Sequence, residues 1–249
     1  MLLSAGEGSR LRPLTLDRPK PMLPIGGIPV LERNVRLLAE HGARRVVINL
    51  HYCPDAITGY FGDGARFGVE IVYSFEATLL GTAGGLRRAQ RWLGEEFFLV
   101  YGDNLSTCNL TALHAQHRRR DAEVTMALYE RDDPTQSGIV GLDAEDRIVR
   151  FLEKPRPEQV FSHWVNAGYL VANQAIFERI PPDGVVSDFG HDVFEPLIAA
   201  GRPVYGYRMG SRERLWWIDT VADYERTARA FANDDDAAGA IPLLTRTGD

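Results

Sequence analysis

The chain has 249 residues and a mass of 27.8 kDa, 45% apolar and 25% charged, which is enough to bury a full core and excludes a disordered or fibrous chain. A net charge of -6 and a pI near 5.6 set the surface against coating nucleic acid or an anionic membrane. No apolar run nears the roughly 20 residues of a membrane span, and Arg10 comes too early for a signal-peptide core. Cys53 and Cys108 are the only cysteines, so neither a disulfide scaffold nor a zinc ribbon is available, and two buried thiols are expected. The chain reads as soluble and cytoplasmic.

In chain order, Met1-Leu2-Leu3 predicts a short buried strand. Glycine and proline crowd residues 6–29, which predicts a long ordered loop. Over 30–41 the apolar residues Leu31, Val35, Leu38 and Ala39 share one helical face, with Pro29 near the start and Gly42 as terminator. A buried strand is predicted at 46–50, a short helix at 55–61, a strand at 69–73, a helix at 81–93, a strand at 97–101 and a helix at 110–119. This alternation, with near-continuous apolar strands, predicts a parallel sheet covered on both faces. After Asp121 the pattern turns β-rich, with strands at 124–130, 138–142, 148–152, 164–171, 204–208 and 215–218. Helices are predicted there at 175–180, 193–200 and 221–231. No low-complexity linker and no solenoid repeat is visible. The expected organisation is one α/β domain over 1–231, with lobes of about 1–121 and 122–231, and an acidic, poorly ordered tail at 232–249.

Two features carry chemistry. Only Lys20 and Lys154 are lysine among 28 basic residues, the rest being arginine, and both precede proline. Genomic base composition explains the arginine excess. Lysine, however, is a compact point charge and arginine a planar fork, so the two retained lysines are candidates for phosphate chemistry. The second feature is Gly6-Glu7-Gly8-Ser9-Arg10-Leu11 after the first strand. It fails as a dinucleotide fingerprint, because Leu11 replaces the third glycine and Pro13 interrupts the helix that should follow. It is no Walker A loop either. What remains is a glycine turn able to approach phosphate, with Arg10, Arg12, Arg18 and Lys20 held by prolines 13, 19, 21 and 24.

The stretch 3–15 followed by Pro19-Lys20-Pro21-Met22 resembles the signature of the sugar-1-phosphate nucleotidyltransferases. Further matches follow in that family's order: Gly81-Thr82-Ala83-Gly84, Gly102-Asp103, Phe151-Leu152-Glu153-Lys154-Pro155, Asn166-Ala167-Gly168 and Trp217-Ile218-Asp219. The resemblance covers about residues 1–231. It implies a Rossmann-like three-layer α/β sandwich with a mixed, mostly parallel central sheet. The first lobe would hold nucleotide and the β-rich second lobe sugar. It also implies the reaction NTP plus sugar 1-phosphate to NDP-sugar plus pyrophosphate, with Mg²⁺, and leaves a homo-oligomer open.

By the same resemblance, Arg10 and Lys20 are catalytic, neutralising the α-phosphate and the departing pyrophosphate. Leu3, Ala5, Gly6, Gly8, Ser9, Gly81, Thr82, Ala83 and Gly102 bind nucleotide. Glu153, Lys154, Asn166 and Gly168 bind the sugar phosphate, and Asp103 and Asp219 bind metal. Asp103 follows an apolar strand, where open α/β sheets bind ligands, and a hard carboxylate suits Mg²⁺. Each residue also has an ordinary reading: Asp103 as a helix cap, Glu153 with Lys154 as an exposed ion pair, Asn166 as a turn former, and Thr82 as a cap. The sequence departs from the family at a short first strand, at Asn104 after the aspartate, and in a shorter, glycine-free loop after Asp219. Leu80-Gly81-Thr82-Ala83-Gly84 is most similar to mannose- or heptose-1-phosphate guanylyltransferases, with UTP, dTTP, CTP or ATP and another sugar as the alternative. A sugar-nucleotide-dependent glycosyltransferase would not need the loop from Arg10 to Lys20. A silent nucleotide-sugar sensor could lose Arg10, Lys20 or Asp103, and all three are present.

Overall fold

The computed structural model describes residues 1–233; the stretch 234–249, read above as tail, lies outside the described residues. In chain order the strands are β1 (Leu2–Leu3), β2 (Pro24–Ile25), β3 (Ile28–Pro29), β4 (Arg45–Leu50), β5 (Glu70–Phe75), β6 (Glu96–Tyr101) and β7 (Leu105–Ser106). The second half adds β8 (Val124–Glu130), β9 (Gly138–Leu142), β10 (Ile148–Glu153), β11 (Trp164–Asn173), β12 (Val204–Arg208) and β13 (Leu215–Trp216). The α-helices are α1 (Val30–Glu40), α2 (Pro54–Phe61), α3 (Gly81–Ala89), α4 (Leu110–Arg119), α5 (Glu195–Ala199) and α6 (Val221–Asn233).

Period-two alternation along the strands divides the core in two. Leu3, Val47, Leu99 and Leu170 point to one face and pack with α3 and α5. Their neighbours Leu2, Ile48, Val100 and Val171 point to the other and pack with α1, α2 and α4. The result is helix–sheet–helix layering. Among the described residues the main sheet has nine strands, in the order β10-β9-β11-β6-β1-β4-β5, with β8 joined to β11 and β12 to β8. β1 is parallel to β4 and β6, β4 to β5, and β12 to β8. β11 is antiparallel to β6, β8 and β9, and β10 to β9. Only β10 and β11 therefore run against the rest, giving the mixed, mostly parallel sheet expected. β1 is as short as the sequence suggests, yet Leu2 pairs with both Ile48 and Val100 and is fully buried, so its neighbours hold it on both sides.

Several elements differ from the sequence reading. The loop 6–29 contains two 3-10 turns, Ser9–Leu11 and Lys20–Met22, and the β2–β3 hairpin, whose turn residues Gly26 and Gly27 both have positive φ. The strand expected at 215–218 is only β13, paired with β7; Ile218 turns instead into a third apolar cluster with Leu11, Leu23, Ile25, Val30, Leu105 and Phe231. The helix expected at 175–180 is a 3-10 segment, Gln174–Glu178. At 193–200 a π-turn, Phe189–Phe194, gives way to α5, with Pro196 near the helix start, where a missing N–H is tolerated. α6 runs to Asn233, so the first two residues assigned to the tail are helical.

His117 of α4 is 2% exposed and its Nδ1 lies 3.0 Å from Thr125 Oγ1. Burial lowers its pKa from 6.5 to about 4. The unfolded chain therefore takes up this proton first on acidification. Its contribution to stability is complete above the unfolded pKa and is lost as pH falls toward the folded one, by on the order of 2–3 kcal/mol. Urea midpoints measured from neutral pH down to the folded pKa should fall more steeply for the wild type than for His117→Gln.

Candidate active site

Two cavities, of about 350 and 290 Å³, open at the carboxyl ends of β1, β4 and β6. The first is lined by Leu3, Ala5, Gly6, Gly8, Ser9, Lys20 and Gly81, all candidates from sequence, and by Ser4, Asn49 and Leu79. The second is lined by the candidates Glu153, Lys154 and Asn166, and by Gln136, Ser137, His191 and Trp217. Arg10, Thr82, Tyr101, Asp103, Asp188 and Asp219 line both, so the two cavities share a rim.

Apolar anchors set this rim. Leu11 and Ile218 are buried in the third cluster, and each is the chain neighbour of a rim residue, Arg10 and Asp219. The glycine loop is tied to Lys20 as well. Gly8 has φ +64, Thr15 Oγ1 donates to its carbonyl at 2.9 Å, and a Cβ on it would lie 2.7 Å from Lys20 Cβ. Lys20, 7% exposed, places its ammonium 2.7 Å from Asp103 Oδ2 and 3.0 Å from Asp219 Oδ1. Burial pulls the lysine pKa down, but the charges of Asp103 and Asp219 outweigh it and leave the pKa above its ordinary value. Burial likewise would raise Asp219, yet Lys20, with Arg10 and Arg131 beyond, holds it below the usual carboxylate range. Arg10 is mostly exposed and reaches Asp219 only at 3.5 Å.

The start of α3 is not the bare backbone that its glycines suggest. Ser187 O accepts from Ala83 N (3.0 Å) and Gly84 N (3.1 Å), and Asp188 Oδ1 accepts from both Thr82 N and Thr82 Oγ1 at 3.0 Å. Gly81 is glycine because its φ is +75 and a Cβ would strike Ser187 O. Thr82 does not cap its own helix; its hydroxyl accepts from Phe189 N at 2.9 Å and so ties α3 to the π-turn.

In the second cavity the Glu153 side chain lies between two glycines. A Cβ on Gly138 would come within 2.8 Å of Glu153 Oε2, and one on Gly190 within 2.8 Å of its Cγ. Burial raises the pKa of Glu153, with Lys154 and His191 partly offsetting it. Lys154 is exposed, with φ +46, and its ammonium lies 3.9 Å from Glu153 Oε1. Asn166 acts as a turn former, its Oδ1 accepting from Gly168 N at 2.9 Å, and it also lines the second cavity.

Three candidates line neither cavity. Ala83 is fully buried in the core. Gly102 is bare because a Cβ would come within 2.5 Å of Ser4 Oγ. Gly168 has φ +79 beside Tyr101, where the β8–β11 register shifts. Sequence reasoning missed Asn49, Tyr101, Asp188, Gln136, Ser137 and His191. Asn49 carried a signal, an amide inside an otherwise apolar buried strand; Asp188 and the loop pair 136–137 carried none.

A family model described as nucleotidyl transferase matches residues 1–230. A UTP–glucose-1-phosphate uridylyltransferase of Synechocystis is 34% identical over 245 residues, covering 92% of this chain and 62% of its own. A mannose-1-phosphate guanylyltransferase of Mycobacterium tuberculosis is 39% identical over 230 residues, covering 91% of this chain and 62% of its own. The chain thus spans 62% of the length of each of these relatives. Among solved structures, HddC from Yersinia pseudotuberculosis complexed with GMP-PN superposes with a TM-score of 0.74 at 25% identity, covering 92% of this chain and 97% of that one. A UDP-glucose pyrophosphorylase complexed with UDP-glucose shares the fold, with a TM-score of 0.81 at 18% identity over 93% of this chain and 97% of that one.

The two loop glycines should behave differently on substitution. Gly8→Ala forces a left-handed backbone and a clash with Lys20, and should destabilise by about 1–3 kcal/mol. Gly6 has nothing within 4 Å of a Cβ, so Gly6→Ala should leave the melting temperature unchanged. Thermal denaturation of both variants checks this.

Proposed function

Because the chain belongs to the nucleotidyl transferase family, we propose that it joins an NTP to a sugar 1-phosphate, forming an NDP-sugar and releasing pyrophosphate. The observation that carries this reading is the Lys20 ammonium of the first cavity, paired with Asp103 and Asp219, which line the rim shared by both cavities. Attack of a phosphate monoester on the α-phosphorus brings two polyanions together. Catalysis is then mainly positioning and charge neutralisation, with no covalent protein nucleophile.

The first cavity takes the NTP, with the backbone N–H groups around Gly6 and Gly8 against the triphosphate. The open space at Gly6 suits a phosphate in van der Waals contact with bare backbone. Lys20 faces the α-phosphate. Arg10, exposed and weakly paired, folds over the pyrophosphate as it leaves. The second cavity takes the sugar phosphate: Glu153 accepts from sugar hydroxyls, Asn166 bonds a further one, and Lys154 faces the monoester. Asp103 and Asp219 present hard carboxylate oxygens that already converge on one cation, the donor set suited to Mg²⁺. Mg²⁺ held by this pair would supply charge neutralisation at the reacting phosphates. For the base and sugar we propose GTP with a mannose- or heptose-type 1-phosphate, supported by Leu80-Gly81-Thr82-Ala83-Gly84 and by the guanylyltransferase name of the mycobacterial relative. The second reading is UTP with glucose 1-phosphate, the substrates named for the Synechocystis relative.

A pyrophosphate-release screen of all NTPs against a panel of sugar 1-phosphates tests the reaction; silence across the panel with divalent cation present overturns it. The cation assignment has its own test. Asp103→Asn should abolish cation-dependent turnover. Lys20→Met should bind Mn²⁺, without nucleotide, about tenfold more tightly than wild type, because the carboxylates lose their competing ammonium. Electron paramagnetic resonance of free Mn²⁺ reads this directly, and weaker binding would remove Lys20 from the cation's place.

The second cavity gives a separate expectation. Losing a charge-assisted hydrogen bond costs about 1.5–3 kcal/mol, so Lys154→Ala should raise the KM for sugar 1-phosphate roughly ten- to a hundredfold, with a smaller change for NTP. Lys154→Arg should restore little, because a planar fork does not occupy the place of a compact ammonium. Steady-state kinetics with each substrate varied in turn check both.

A further inference from the structure

We propose that Asn49 and Glu76 are positioning residues that fix the wall of the first cavity, a role that rests on the nucleotidyl transfer reading above. Neither belongs to a motif quoted from the sequence. Both are almost fully buried, Asn49 at 2% and Glu76 at 4% exposure.

Their hydrogen bonds form a directed chain. Ser4 N donates to Asn49 Oδ1 at 2.7 Å, Asn49 Nδ2 donates to Glu76 Oε1 at 2.7 Å, and Leu80 N donates to Glu76 Oε2 at 2.9 Å. The orientation of the Asn49 amide follows from its partners: a backbone N–H can only donate, so the amide oxygen faces Ser4 and the nitrogen must find an acceptor. A carboxylate is the side chain that accepts at both ends at once. The chain joins the two segments that flank the first cavity. Ser4 leads directly into Ala5 and Gly6, and Leu80 leads into Gly81 and Thr82. The fold accommodates the pair at some cost, since a Cβ on Gly85 would lie 2.7 Å from Asn49 Nδ2 and 2.8 Å from Glu76 Oε1. That explains a glycine inside α3, where glycine is otherwise disfavoured. A buried carboxylate whose partners are amides rather than a cation is costly to retain for packing alone. Its two acceptor oxygens hold the glycine loop and the α3 turn at one fixed separation.

The directed chain makes a rescue experiment available. Glu76→Gln places an amide N–H against a donor at one end whichever way it turns. Asn49→Asp sets two carboxylates against each other. The double variant Asn49→Asp/Glu76→Gln restores every bond with the middle one reversed, because the carboxylate introduced at position 49 then accepts from both Ser4 N and the amide introduced at position 76. Isothermal titration with GTP and UTP, in the absence of sugar phosphate, should show each single variant binding about tenfold or more weakly, and the double variant within about threefold of wild type. The KM for sugar 1-phosphate should shift less than about threefold in all of them, because the chain does not reach the second cavity. Single variants that bind NTP like wild type, or that raise the KM of both substrates equally, overturn the role. So does a double variant that regains the wild-type melting temperature without NTP affinity. Should either single variant fail to fold, the double variant carries the test alone. If the wild type binds no NTP while folded, the parent reading fails, and this role with it.

Discussion

The ion triad of Lys20, Asp103 and Asp219 is the interaction on which the site depends. It draws together three segments remote in sequence: the glycine loop, the end of the β6 strand and the turn before α6. Truncating one member of a buried ion pair costs on the order of 3–5 kcal/mol, because the partner is left desolvated and uncompensated. Here the carboxylates are partly open to the cavities and the lysine is not, with side-chain exposures of 35% and 22% against 8%. The penalty therefore falls hardest when the carboxylates are removed and the ammonium is stranded. The triad also carries one excess negative charge, which is what makes the same position attractive to a cation of higher charge.

Electrostatics alone would not place these groups. Lys20 lies in a 3-10 turn between Pro19 and Pro21, and the next residues, Met22 and Leu23, are buried. Arg10 precedes the fully buried Leu11, and Asp219 follows the buried Ile218; both anchors belong to one apolar cluster closed by Phe231 of α6. Hydrophobic burial thus fixes the backbone within two residues of each charge, Leu105 doing so for Asp103, and the charges settle only the last few ångströms.

This division explains what could be read from the sequence. Strands such as β4 and β6 declare themselves by uninterrupted apolar runs, because both sheet faces are covered. The cation-bearing loop declares itself by its prolines and glycines. The contacts that cross between segments leave no local trace. Asp188 reaches Thr82 over more than a hundred residues, and nothing in its surroundings in sequence marks it. The glycines at 81 to 85 divide in a way that composition does not show: Gly81 lines the first cavity, whereas Gly84 and Gly85 are bare to accommodate Val185 O, Asn49 and Glu76. The 215–218 stretch has strand propensity, but β13 ends at Trp216 and Ile218 turns into the anchor cluster instead.

The two lysines of this arginine-rich chain occupy unlike places. At position 20 one compact ammonium meets carboxylates from two directions, at 2.7 and 3.0 Å, whereas a guanidinium is wider and forks in a plane. At position 154 the backbone itself is unusual. A residue before proline is ordinarily extended, yet Lys154 has φ +46, a conformation that costs a non-glycine residue about 1–3 kcal/mol. The strain is held by a hydrogen bond from Lys154 N to Ser137 O at 3.1 Å and by Gly138, whose missing side chain admits Glu153. An extended strand would send Glu153 and Lys154 to opposite faces. The left-handed turn instead leaves both lining the second cavity.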